Sequence, residues 1–207
     1  MNFLNNVAGP LLFPSILWRG TGAAVHLTFD DGPHPVATPN VLDILHERGI
    51  RATFFIVGRQ AHLHPEIVRR IVQEGHSIGN HSQSHRTLIF KPSGFQQNEI
   101  RGANSTIRDV SQQTPRLFRP PYGYFDFRTL RIAKAEELKL VMWNVDTRDF
   151  AKPFPHAIIR RVGRSIKEGS IVLLHDNDST AHHIHKYLEP LIDELIGRGL
   201  QLSAILP

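Results

Sequence analysis

Two adjacent carboxylates, Asp30 and Asp31, follow an apolar run and precede Gly32 and Pro33, a turn signal. Two ionised carboxylates at one site repel each other unless a cation relieves the repulsion or the two groups point apart and do different work. Adjacent side chains of a strand point to opposite faces, but a turn directly after the pair would let both line one cleft. We predict that one carboxylate binds a metal ion and that the other handles protons. A pair that only caps a turn is the alternative.

His81 and His85 are four residues apart, a spacing that places both rings on one side of a helix or tight coil, within reach of one ion. With an aspartate at a neighbouring strand end, they predict a divalent-metal site that leaves coordination positions for water and substrate. Other histidines lie near a polar helix start and are interpreted as solvated surface residues: His182, His183 and His185.

Residues 119–123, Arg-Pro-Pro-Tyr-Gly, predict a loop stiffened by two prolines, which fix φ and remove competing donors. The N–H groups of Tyr122 and Gly123 could then be aimed at a developing oxyanion, and Arg119 could hold a carboxylate bidentately. His175 leaves a buried apolar run beside a carboxylate, where its ring can carry a proton near neutrality. A histidine that only satisfies the core is the alternative.

These residues must be positioned by short apolar runs that alternate with amphipathic helices along the whole chain, in about seven β/α units. Such alternation predicts an α/β domain with a parallel sheet and helices outside it. The runs interpreted as strands are 25–29, 52–57, 76–79, 117–118, 140–145 and 170–174. The chemistry-bearing residues follow these runs, and the carboxyl ends of parallel strands form one face. Periodicity alone leaves a closed barrel and an open doubly wound sheet as alternatives.

Capping signals predict where three of the helices begin. Thr38 precedes a proline and is interpreted as an N-cap. Ser93 and Gln96 have the spacing of a capping box, and Asp126 is interpreted as the N-cap of a helix that ends near Glu137.

Taken in order, the motifs resemble those of the polysaccharide deacetylases, carbohydrate esterase family four, which includes chitin, peptidoglycan and nodulation-factor deacetylases. The resemblance spans about residues 25–207. The motifs that carry it are Thr28-Phe29-Asp30-Asp31-Gly32-Pro33, His81-Ser82-x-x-His85, Arg119-Pro120-Pro121-Tyr122-Gly123, Asp146-x-x-Asp149 and Leu173-x-His175.

The resemblance implies a distorted, TIM-like (β/α)₇ barrel and a divalent ion, zinc first, with cobalt or another divalent ion as the alternative. It implies that Asp30 is the general base, oriented by Arg119, and that the Tyr122 N–H stabilises the oxyanion. It implies that His175 is the general acid, tuned by Asp149. The metal ligands that it implies are Asp31, His81 and His85.

The substrate pocket is where the sequence departs from the family pattern. The resemblance implies that Leu173 lines the pocket for the acetyl methyl group and that a tryptophan follows Asp149, but Phe150 stands there. A smaller ring without an N–H puts the substrate preference in doubt more than the chemistry. Trp143, earlier on the same strand, is not an obvious replacement.

Composition excludes several classes of protein. The chain of 207 residues has no cysteine, so a disulfide scaffold, a thiolate zinc site and a catalytic thiol are excluded. The net charge of +5 is scattered, and basic residues are not clustered with aromatics, so we expect no nucleic-acid partner. No run has the length of a transmembrane helix.

Residues 1–24 are interpreted as an arm packed on a catalytic domain of residues 25–207, since prolines and the lack of an early positive charge disfavour a secretory signal.

The predicted function is metal-dependent hydrolysis of N-acetyl groups on the amino sugars of a carbohydrate polymer or oligomer. One alternative is a non-catalytic sugar- or metal-binding module on the same fold, against which the presence of both Asp30 and His175 argues. Another is an amidase for a small-molecule or lipid-linked substrate, for which a closed pocket would argue, whereas an open groove with aromatics would indicate a polymer. The sequence leaves oligomeric state and localisation open.

Overall fold

The computed structural model describes residues 8–151 and 154–206. Seven parallel strands form one sheet in the order β5-β4-β3-β2-β1-β7-β6. The strands are β1 (His26–Asp30), β2 (Thr53–Ile56), β3 (Ser77–Asn80), β4 (Leu117–Phe118), β5 (Lys139–Leu140), β6 (Val145–Asp146) and β7 (Ile171–His175). The helices are α1 (Gly9–Leu12), α2 (Ala37–Glu47), α3 (Gly58–Leu63), α4 (Pro65–Gln73), α5 (Ser93–Ser111), α6 (Phe127–Ala135), α7 (Pro155–Ser165) and α8 (His185–Gly197).

The sheet is curled because β5 and β6 are neighbours in the chain but lie at its opposite edges. The four residues between them, 141–144, let the two edges lie at most about 18 Å apart. The linker extends both edges, since the Val141 N–H donates to the Phe118 carbonyl and the Asn144 N–H to that of Ile171. The prediction of one strand over 140–145 is therefore wrong, whereas the TIM-like α/β barrel is confirmed.

Alternation along the strands divides the core in two. Leu27 and Phe29 of β1 pack in the cluster that includes the outer helices, while Thr28 and Asp30 between them carry the polar groups of the site. In β7, Val172 belongs to the same outer cluster, whereas Leu173 packs in a second cluster together with Phe55. The second face of the sheet thus encloses both apolar and functional side chains.

The helix starts agree only in part with the capping signals. Asp126 caps α6 and forms a capping box with Thr129, as predicted. The helix around Thr38 begins one residue earlier, at Ala37, so this threonine is not the N-cap. Ser93 makes no capping bond, and the Gln96 side chain contacts Asp126 instead, so the second predicted capping box is wrong. The Thr38 hydroxyl donates to Asp176 and Gln96 contacts Asp126, so distant parts of the chain use both side chains.

The described part of the N-terminal arm lies against the barrel. Ile16 and Trp18 are buried in the second cluster. The Leu17 N–H donates to the Leu140 carbonyl, and the Leu17 carbonyl accepts from Met142. Residues 1–7 of the predicted arm lie outside the described residues. Among the described helices, none combines the length and apolar character needed to cross a bilayer.

Candidate active site

A cavity of about 610 Å³ opens at the carboxyl ends of the strands, where the sequence predicted a site. Two further predicted residues, Arg119 and Asp149, are fully buried behind its wall. The predicted residues that line the cavity are Asp30, Asp31, His81, His85, Tyr122, Phe150, Leu173 and His175.

Three side chains converge on one point of this cavity. The Nε2 atoms of His81 and His85 lie 3.4 and 2.9 Å from the same Asp31 oxygen, Oδ1. One ligand atom from each residue lies within 4.8 Å of the other two, close enough for the three to hold one metal ion. The His81 Nδ1 lies 2.7 Å from the Arg119 carbonyl; a proton on Nδ1 would donate there and leave the Nε2 lone pair facing the site.

Local backbone geometry produces this convergence. Asp31 has φ 81, a left-handed conformation directly after β1, so its side chain does not continue the alternation of the strand. His81 and His85 lie in a tight coil rather than a helix, and His85 has φ 55. The Ser82 hydroxyl accepts the His85 N–H at 3.0 Å, and the Asn80 side chain accepts the Ser82 N–H at 2.7 Å.

The environment of Asp31 favours its ionised form. Burial raises the pKa of the Asp31 carboxyl, but the hydrogen bonds and charges of His81 and His85 outweigh burial and hold the pKa well below its usual range. The second oxygen, Oδ2, accepts a hydrogen bond of 2.7 Å from the Asn177 amide. The carboxylate is therefore negative and held at both oxygens.

Arg119 holds the other member of the aspartate pair. Its guanidinium is 0% exposed and donates to Asp30 Oδ1 at 2.7 Å and to the Thr28 hydroxyl at 2.8 Å. The carbonyls of Val141 and Met142 accept two further bonds. A buried charge needs a partner and satisfied donors, and Arg119 has both. One Asp30 oxygen is thus fixed, while Oδ2 lies 3.7 Å from His81 Nε2.

His175, at the end of β7, lies on the same rim and is paired with a buried carboxylate. Its Nδ1–H donates to Asp149 Oδ1 at 2.7 Å, and its backbone N–H donates to Oδ2 at 2.9 Å. The Tyr187 hydroxyl donates to the same Oδ2 at 3.0 Å. Burial lowers the pKa of His175, but the hydrogen bond and charge of Asp149, with Asp31 and Asp30, raise it to about 9. The ring is therefore a proton donor at neutral pH.

The proline-stiffened loop of residues 119–123 leaves one of the two predicted N–H groups available to an oxyanion. Tyr122 has φ 60, and the Gly123 N–H donates to the Pro120 carbonyl at 2.9 Å. Since that N–H is used within the loop, only the Tyr122 N–H remains from the predicted pair. The Tyr122 ring packs 4.7 Å from the His85 ring and lines the cavity.

The remaining cavity wall is apolar. Leu173 lines it, and Phe150 meets the His175 ring edge to face at a centroid distance of 5.5 Å. Trp143 also lines the cavity, although the sequence did not make it an obvious substitute for the missing tryptophan. Its ring centroid lies 5.6 Å from the guanidinium carbon of Arg119. The wall thus retains an indole contributed by the linker between β5 and β6.

Three residues with direct contacts to the site were not found from the sequence. Thr28 supports Arg119, Tyr187 supports Asp149, and Asn177 supports Asp31. Thr28 lies within the first motif, but nothing in its spacing identifies its partner. Tyr187 and Asn177 lie in a helix and a turn without any motif, so only the folded chain reveals them.

Comparisons with known proteins agree with this geometry. The family model for polysaccharide deacetylase matches residues 19–141. A chitooligosaccharide deacetylase of Sinorhizobium fredii is 42% identical over 159 residues, which cover 76% of this chain and 74% of that protein. A peptidoglycan-N-acetylglucosamine deacetylase of Bacillus cereus is 33% identical over 183 residues, covering 87% of this chain and 85% of that protein.

Solved structures show the same similarity in three dimensions. A peptidoglycan N-acetylglucosamine deacetylase in complex with 4-naphthalen-1-yl-N-oxidanyl-benzamide superposes with a TM-score of 0.88 at 31% identity, over 92% of this chain and 91% of that one. A pseudoenzyme of carbohydrate esterase family four from Bacillus anthracis superposes with a TM-score of 0.82 at 30% identity, over 89% of this chain and 64% of that one. With its motifs, its barrel and these relatives in agreement, the chain belongs to the polysaccharide deacetylase family.

Proposed function

We propose that this chain is a metal-dependent N-deacetylase that releases acetate from N-acetylated amino sugars of a chitin- or peptidoglycan-like carbohydrate. The observation that carries the proposal is the presence of two proton-handling pairs in one cavity, at the neighbouring carboxyl ends of β1 and β7. Asp30 is held by Arg119, and His175 is held by Asp149. Hydrolysis of an amide needs a group that accepts a proton from water and a group that gives one to the amine.

The donor set of Asp31, His81 and His85 fits a catalytic divalent ion. Two neutral imidazole nitrogens and one carboxylate are typical of zinc sites that keep positions open for water and substrate. The contact between His81 Nδ1 and a backbone carbonyl is the outer support such a ligand usually has. A divalent ion held there would polarise the acetyl carbonyl and lower the pKa of a bound water to about 7. We propose zinc, with cobalt as a functional substitute.

The residues of the chain divide the proton transfers between them. Asp30 Oδ2, which Arg119 leaves unoccupied, takes the proton from the attacking water as its oxygen bonds to the acetyl carbon. The Tyr122 N–H donates to the oxygen of the resulting tetrahedral intermediate. When the carbon–nitrogen bond breaks, His175 gives its Nε2 proton to the leaving nitrogen. Water and the amide are thereby converted into acetate and a free amino sugar. Leu173 contacts the acetyl methyl group in this arrangement.

The shape of the cavity mouth supports a saccharide substrate longer than one unit. Tyr122, Tyr124 and Phe150 surround the mouth with 55, 52 and 49% of their surface exposed. Sugar rings pack their apolar faces on such half-exposed aromatics, which combine contact area with a polar rim. The open mouth favours an oligomer or polymer over a small molecule that a closed pocket would enclose.

A non-catalytic binding module on the same fold is the competing function, because the structural relatives include a pseudoenzyme. The fold alone therefore does not establish catalysis. Two buried ion pairs that position a base and an acid have no purpose in a sugar-binding module, and both are intact here.

Acetate release from chitooligosaccharides and peptidoglycan, measured with zinc and with a chelator, tests the proposal. We expect turnover that the chelator abolishes and zinc or cobalt restores. Asp30→Asn should abolish turnover while one zinc per chain still binds, and His81→Ala should lose tight zinc binding. The exposed histidine His182 offers the matched control, since His182→Ala should change neither.

Three outcomes would contradict parts of this proposal. Chelator-resistant acetate release would rule out the metal centre. Full activity of Asp30→Asn would remove that residue from the role of base. Sugar binding without any acetate release, in a protein loaded with zinc, would favour the binding module.

A further inference from the structure

The turn that follows β7 contacts the first motif at a point that the proposed proton transfers do not use. Asn177, two residues after His175, donates from its side-chain Nδ2 to Asp31 Oδ2 at 2.7 Å. The other oxygen of the same carboxylate, Oδ1, faces the two imidazole nitrogens. Asn177 therefore binds the side of Asp31 that faces away from the histidines, and it also lines the cavity.

The orientation of the Asn177 amide is determined by its own turn. Its Oδ1 accepts the Ser179 N–H at 2.9 Å and the Ser179 hydroxyl at 2.6 Å. Its backbone N–H donates to the Thr180 hydroxyl at 3.2 Å. Because two donors occupy the oxygen end of the amide, the NH₂ end must point the other way, toward Asp31. The donor is thus preorganised before any ligand arrives.

A second contact from the same segment holds the loop that carries Asp31. Asp176 is 1% exposed, and its backbone N–H donates to the Asp30 carbonyl at 3.1 Å. Its carboxyl lies against Gly32, where an added Cβ would come within 2.2 Å of Asp176 Oδ2. The Thr38 hydroxyl donates to that oxygen at 2.5 Å. The loop is therefore held at the Asp30 backbone by Asp176 and at the Asp31 side chain by Asn177.

We propose that Asn177 is a positioning residue of the metal centre, which fixes the Asp31 carboxylate so that Oδ1 is presented toward the two histidines. The inference rests on the proposed function, since it assigns a role toward the ion held by the three ligands. Without this bond the Asp31 carboxylate would rotate among several orientations. Restricting it to one orientation when the ion binds would then cost free energy and weaken binding. The strand end of β7 thereby supplies both the acid and the support of a metal ligand.

Zinc affinity of the full chain, measured by competition with a chromophoric chelator, tests this role. Asn177→Ala should bind zinc about ten- to a hundredfold more weakly, the usual effect of losing an outer partner of a ligand. The matched control is Ser179→Ala, which removes one bond inside the turn and leaves the Asn177 donor in place. That control should stay within about threefold of the wild type, since the Ser179 N–H still holds the Asn177 oxygen and one part-buried hydroxyl bond contributes little.

Two further readouts separate positioning from general damage. The thermal midpoint of metal-free Asn177→Ala should stay close to that of Ser179→Ala, whereas its cobalt absorption spectrum should differ from the spectrum that wild type and Ser179→Ala share. Equal zinc affinity of Asn177→Ala and wild type would overturn the inference and leave the metal centre standing. Equal weakening in both variants would also overturn it, because the turn would then be responsible. A wild-type chain that binds no zinc would overturn the metal centre and this inference together.

Discussion

Replacing Asp149 by asparagine should move the alkaline limit of activity, because this carboxylate controls the proton on His175. The two groups are in contact at 2.7 Å, and Asp149 is fully buried while the His175 side chain is 14% exposed. The pKa of His175 is raised from 6.5 to about 9. That difference corresponds to ~3 kcal/mol of preference for the protonated ring. Asp149→Asn keeps the shape of the side chain and removes the charge.

The loss of rate in Asp149→Asn should grow with pH, whereas a general loss of activity would be the same at every pH. If the pKa of His175 returns to its ordinary value, the protonated fraction at about pH 8 falls from about nine-tenths to about three-hundredths, a loss of about thirtyfold. At about pH 6 both proteins keep most of the proton, and protonation alone lowers the rate less than twofold. The acetate-release assay should therefore show the alkaline limb of kcat/KM at a clearly lower pH in Asp149→Asn than in wild type.

A control variant and a direct titration make this reasoning refutable. Tyr187→Phe removes one donor from Asp149 but leaves the charge, so its alkaline limb should stay near that of the wild type. The imidazole titration of His175, followed by NMR in both proteins without metal, should show the same displacement as the kinetics. An alkaline limb that does not move in Asp149→Asn, in a protein that is folded, would refute the assignment of His175 as the acid tuned by Asp149.

Three other outcomes follow from buried contacts of the site. Tyr187→Phe should lower the free energy of unfolding by ~2 kcal/mol, because a buried hydroxyl bonded to a carboxylate is lost, and an unchanged denaturation midpoint would contradict this contact. Gly32→Ala should be destabilised by ~1–3 kcal/mol and bind zinc more weakly, since its Cβ would overlap the Asp176 carboxyl; wild-type values for both would show that the loop can move aside. In the metal-free protein the raised pKa of His175 contributes up to ~3 kcal/mol of stability, which is fully present below about pH 6.5 and lost as the pH rises through about 9. Denaturant unfolding of wild type should therefore show the free energy of unfolding falling over this pH range, and Asp149→Asn should not show this fall.

The proposed metal ligands were accessible from the sequence because strand ends in a parallel α/β fold share one face. Asp31 follows β1 and His81 follows β3, so naming the strands was enough to bring them together. The apolar runs that form β1 and β7 were equally readable, since these strands are buried along nearly their whole length. The prediction of a single strand over 140–145 was wrong because burial did not report strand pairing there. The apolar side chains of this run are buried whether or not the backbone pairs, and only the closure of the barrel requires a break there.

The sequence by itself indicated the chemistry of the site: which residues could bind an ion, take a proton and give one, and that a parallel sheet of β/α units would carry them on one face. Only the tertiary structure decided which side chains hold those residues in place. Thr28 and Arg119 are 91 positions apart, Asn177 and Asp31 are 146 apart, and Tyr187 and Asp149 are 38 apart. The reason is physical: strand and helix periodicities report which face of an element is buried, whereas a hydrogen bond between distant elements depends on how the sheet curls and packs, which no local pattern encodes.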